Sequence, residues 1–97
     1  MGVAALLRWE APALNEKWWQ EPVALELDGI GKYSFIHNTR EAAECLLDRW
    51  PVHDGKAYKA AIRMCSYVLN GKQPADYARQ DFIAAAVEAL IHVRPPH

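Results

Sequence analysis

Long apolar runs, clustered cysteines, glycine-rich tracts and a surplus of either charge are all missing from this 97-residue chain. Val3–Leu7 is too short for the core of a signal peptide, and no window approaches the ~20 apolar residues that span a bilayer. Leu6 stands where an N-myristoylation signal after Gly2 needs Ser or Thr. A soluble, cytoplasmic protein with no membrane contact is therefore expected. The two cysteines, Cys45 and Cys65, both fall inside helical patterns and are read as buried free thiols of a reducing compartment. With no Cys-x-x-Cys, no His-Glu-x-x-His and no calcium loop, neither a metal nor another cofactor is expected. Among the five glycines, Gly29 and Gly31 mark a hairpin turn, whereas a phosphate cradle needs more glycine and a helix directly after it. A net charge of -1 gives no global pull toward nucleic acid or an anionic surface. The balance is uneven: residues 1–50 hold eight acids and five bases, residues 51–97 four acids and six bases, so any basic surface belongs to the second half.

What is present is pattern. The stretch Asn38–Pro51 organises the rest. Ala42, Ala43, Leu46, Leu47 and Trp50 recur at three- and four-residue spacing, the mark of one helical face. Asn38 caps its start, Glu41 closes a capping box, and Trp50-Pro51 ends it. Before it, Val23, Leu25 and Leu27 alternate with Ala24, Glu26 and Asp28, the period of a half-exposed strand. After the Asp28-Gly29 turn, Lys32 to His37 returns with Tyr33, Phe35 and His37 on one face and Ser34 and Ile36 on the other. After it come a helix over Gly55–Asn70, capped by Asp54 and stopped by Gly71, and a third beginning near Pro74. The third helix carries an apolar face of Ala78, Phe82, Ala85, Ala86, Ala89 and Leu90, widened by Ile83, Val87 and Ile91. The fold class is α+β: a small antiparallel hairpin followed by three packed helices, β-β-α-α-α, with the Asn38–Pro51 helix shielding the hairpin. The chain divides into an N-terminal arm over 1–21, a single domain over 22–93 and a frayed tail over 94–97. Within the arm, Val3 to Trp9 has room for a turn or two of helix before Pro12.

Function is much less legible. Trp18 and Trp19 are adjacent, so one ring is expected on the core and the other toward solvent, where it can anchor a partner. A non-enzymatic interaction or regulatory module is the leading reading, a homodimer through the hairpin edge or the Trp18–Trp19 arm. The alternative is electrostatic nucleic-acid binding through Lys56, Lys59 and Arg63, a basic stripe on the second helix. No catalytic set is assigned: Cys65 faces the core, Cys45 lies off the apolar stripe as the more accessible thiol, and His37 is read as locally hydrogen-bonded. A small-molecule pocket would have to form between Trp50, Tyr58 and Phe35. Arg49 and Tyr58 are expected to tie the first two helices together at the Trp50-Pro51 corner.

Several of these residues also carry a resemblance. Arg40-Glu41-Ala42-Ala43 runs into Leu47-Asp48-Arg49-Trp50-Pro51, then Ala57-Tyr58, Ala60-Ala61, Cys65, Leu69 and Gly71, and finally Phe82-Ile83-Ala84-Ala85-Ala86. In these the chain, from about Pro22 to Ile91, resembles a small alphaproteobacterial family common in rhizobia, the domain of unknown function 982. The resemblance implies a compact bacterial cytoplasmic domain with a strand pair followed by helices. It brings no activity, cofactor or partner with it.

Overall fold

In the computed structural model, which describes residues 18–94, the first described elements are β1, Val23–Glu26, and β2, Tyr33–Ile36. The two pair antiparallel without a bulge, Val23 opposite Ile36 and Glu26 opposite Tyr33. Between them the turn is closed twice. The Lys32 N–H donates to the Gly29 carbonyl at 3.0 Å, and the Gly31 N–H donates to the Glu26 carboxylate. A third strand, β3 (Val93–Arg94), adds to the other side of β1 and gives the order β2-β1-β3. Arg94, assigned from the sequence to a frayed tail, sits opposite Ala24 in this sheet. Two residues are too few to carry a readable period, which is why β3 escapes a sequence reading.

Three helices follow in the expected order: α1, Thr39–Asp48; α2, Lys56–Leu69; and α3, Ala75–Glu88. Asn38 caps α1 as its sequence position requires, its Oδ1 accepting from the Glu41 N–H at 2.8 Å. Glu41 reaches back one residue further than the capping-box pattern implies, its Oε1 accepting from the His37 N–H at 2.7 Å. At α2 the cap is Gly55, not Asp54. The orphan N–H groups of Ala57 and Tyr58 donate instead to the Glu88 carboxylate, at 2.8 and 3.1 Å, from the last turn of α3. A Cβ on Gly55 would lie 1.8 Å from Glu88 Oε2, so glycine is what lets this carboxylate approach.

The ends of α2 and α3 are closed alike. After α2 the Gly71 N–H bonds the Val68 carbonyl and the Lys72 N–H the Tyr67 carbonyl, with Gly71 at φ 76°. After α3, Leu90 and Ile91 repeat this arrangement on Val87 and Ala86, but the left-handed position is held by a leucine at φ 61°. That turn carries Leu90 off the apolar face predicted for it, leaving the side chain 92% exposed. Val87 is exposed as well.

The core also departs from the sequence expectation in its centre. The helix that packs against β1 and β3 is α3, while α1 lies against α2 and α3. Phe82 of α3 is fully buried, with the Trp19 and Trp50 rings at 5.9 and 5.5 Å. Ala78, Ala85 and Ala86 are fully buried around it, and Ala61 of α2 is too. These small side chains let α2 and α3 approach closely, which frees α3 to sit between the sheet and the other helices. Trp50 is buried as expected, but α1 does not by itself roof the hairpin.

Candidate functional site

The inner face of the sheet carries Val23, Leu25 and Ile36, all buried against the helices. Opposed residues in an antiparallel pair share a face, so Tyr33, Phe35, Ala24, Glu26 and Arg94 form the outer one. Among the described residues no helix covers it. Phe35 is 50% exposed at its centre. The Arg94 guanidinium lies 5.6 Å from the Tyr33 ring centroid, and the His92 ring 6.1 Å from it. Just beyond β2, the Trp18 ring meets His37 edge-on at 5.5 Å and is itself 66% exposed. A row of rings from Trp18 to Tyr33 therefore follows β2, one of the two edge strands of the sheet.

The tryptophan pair divides as its adjacency predicts. Trp19 turns inward, its Nε1 donating to Thr39 Oγ1 at 3.2 Å, and its N–H donates to the His37 carbonyl at 2.8 Å. It lies in the hydrophobic core although it belongs to the stretch assigned to the arm, and the exposed member of the pair is Trp18. The helix proposed for Val3 to Trp9 falls outside the described residues.

Lys56, Lys59 and Arg63 are all exposed along one side of α2. Some of the other charged groups tie elements together. Arg49 does not join α1 to α2. Its Nη2 donates to Asp28 Oδ2 at 2.6 Å and to Ser34 Oγ at 2.8 Å, fastening the end of α1 to the hairpin. Tyr58 does link the helices, its hydroxyl donating to the Leu46 carbonyl at 3.0 Å. Arg79 donates from Nε to the Glu21 carbonyl at 2.9 Å. Around that contact Gln20, Glu21, Asp76, Arg79 and Gln80 line an open polar groove of about 530 Å³.

Among the described residues the chemistry-bearing side chains do not gather at one place. Both cysteines are buried, and Cys45 is not the accessible thiol that its place off the apolar stripe suggested. Burial pushes the Cys45 thiol up to about 11, partly opposed by the Arg49 guanidinium, and the Cys65 thiol up to about 12. Both are protonated at neutral pH. His37 Nδ1 lies 3.2 Å from Glu41 Oε1, His53 packs on the Tyr58 ring at 5.2 Å and His92 on Tyr33. Among the described residues no three His, Cys, Asp or Glu side chains are grouped so as to hold a metal. Trp50, Tyr58 and Phe35 do not line a common pocket: the first two are buried in the core and Phe35 is on the outer sheet face. The sequence placed Tyr33, Phe35 and His37 together but could not say which side was out, and it missed Arg94 with β3.

The family model described as "Protein of unknown function (DUF982)" matches residues 21–93. The chain belongs to this family. Among the described elements the match spans the three strands but for Arg94 and the three helices, and it begins after Trp18 and Trp19. No curated protein and no solved structure matches the chain. No helix among the described residues is long and apolar enough to cross a membrane.

Proposed function

We propose that this protein is a small non-enzymatic interaction module of the bacterial cytoplasm that works by self-association as a homodimer. The observation that carries this reading is the outer face of the sheet, uncovered among the described residues, where Phe35 and the neighbouring Trp18 expose large aromatic surface beside an open strand edge. Large rings on a rigid scaffold supply contact area at little entropic cost, which is why they dominate interface energetics. The groups that catalysis would recruit have structural duties instead. Glu26, Glu41 and Glu88 each accept from backbone N–H groups, and both thiols are buried and protonated. Lys56, Lys59 and Arg63 lend a nucleic-acid reading little support, because three cations on a chain of net charge -1 make a sparse footprint.

The test is sedimentation velocity over a concentration series. A reversible dimer is expected at high micromolar concentration, weakened by Trp18→Ala. A single monomeric species throughout would overturn self-association.

A further inference from the structure

The two edges of the sheet are treated differently. β3 offers two residues, one of them Arg94, and is followed in the sequence by Pro95-Pro96, which have no N–H groups to donate. Charge, shortness and proline are the devices by which proteins make an edge unattractive to a further strand. β2 has few of these. Tyr-Ser-Phe-Ile is uncharged, free of proline, rich in strand-forming residues and unbulged along all four of its pairs with β1. Among the described residues nothing pairs with its outer side.

From this asymmetry we infer that β2 is the dimer seam: it pairs antiparallel with β2 of a second copy, joining two three-stranded sheets into one of six strands. The inference rests on the self-association proposed above and names its surface. Symmetry narrows the register. Opposed residues must share a face, so the two-fold axis passes through a residue and not between two. Centred on Ser34, it would set Lys32 against Ile36. Centred on Phe35, it sets Phe35 against Phe35 of the second copy, Ser34 against Ile36, and the Tyr33 ring beside His37. The N–H and carbonyl of His37 are already bonded to Glu41 and Trp19, and those of Ser34 and Ile36 face β1, so the new backbone hydrogen bonds are confined to the Phe35–Phe35 pair. Trp18, seated on His37, then covers Tyr33 of the second copy. Charge agrees with the same occupant. Lys32, exposed, arrives opposite Asn38, where α1 of the second copy begins with Glu41 and Glu44. One hydrogen-bonded backbone pair and six large rings make a small seam, so the dimer is reversible and forms at micromolar concentrations.

Two variants test the register. Phe35→Cys places two thiols across the axis at a separation a disulfide can bridge, and mild oxidation should give a covalent dimer. Tyr67→Cys, exposed on α2, should give none, and the buried native thiols stay silent in both. Phe35→Lys sets like charges face to face and should weaken association about tenfold or more, with the monomer's melting little changed. A wild-type dimer in which Phe35→Cys cross-links no better than Tyr67→Cys and Phe35→Lys still associates would overturn the strand seam and leave self-association standing. A wild-type monomer at high micromolar concentration would remove both. If Phe35→Lys fails to fold, the cross-linking result alone decides.

Discussion

Leu90 does at the end of α3 what Gly71 does at the end of α2, at a cost glycine avoids. The left-handed conformation crowds an L side chain by about 1–2 kcal/mol, and at 92% exposure the leucine recovers almost nothing by burial. Leu90→Gly should therefore raise stability by about 0.5–1 kcal/mol after the extra chain entropy of glycine is subtracted. Urea unfolding measures this directly, and a loss on substitution would mean that Leu90 makes a contact worth more than its strain. The cysteines work in the opposite sense, quietly stabilising. An ordinary thiol titrates at 9.0, while burial pushes Cys45 to about 11 and Cys65 to about 12. An acid whose folded value is raised contributes stability in full below pH 9, and this is lost as pH climbs through 11 to 12, because the unfolded chain releases protons that the native state retains. Replacing both by alanine should flatten the alkaline fall in the urea midpoint above pH 9. An unchanged fall would assign it to other groups.

At the scale of elements, local signals located the helices well. The Asn38 cap, the Trp50-Pro51 end and the Gly71 stop were legible because each acts within a few residues of itself. The start of α2 was not. Its cap comes from Glu88, thirty-odd positions away, and no pattern around Asp54 reveals that a carboxylate will arrive from another helix. This contact predicts a sign reversal. With Glu88 present, Gly55→Ala should cost about 1–2 kcal/mol, since its Cβ displaces the carboxylate from two N–H groups. In a Glu88→Ala background the same change should be neutral or stabilising by up to about 1 kcal/mol, as Gly55 has φ of -73° and alanine restricts only the unfolded chain. Equal effects in both backgrounds would remove Glu88 from the cap. The hairpin shows the same limit in another form: period two grouped Tyr33, Phe35 and His37 correctly but not their side, and both faces of β2 carry an apolar residue.

For the whole molecule, the expectation that follows from charge is negative. Duplex DNA at roughly 50 mM salt should show no binding that depends on Lys56, Lys59 and Arg63. Salt-sensitive binding lost when the three are neutralised would return the α2 stripe to the centre of the function. The order β-β-α-α-α, the Asn38 cap of α1 and the Gly71 stop of α2 were determined by the sequence alone, because periodicity and capping express forces between near neighbours. Tertiary structure alone decided that α3, not α1, lies on the sheet, that Arg94 completes a third strand, that Arg49 holds the hairpin, and which aromatic face is left open among the described residues. Those outcomes depend on how volumes fit between segments twenty to seventy residues apart, and Phe82 with its ring of buried alanines takes the central position because only that face is slim enough to be approached from both sides.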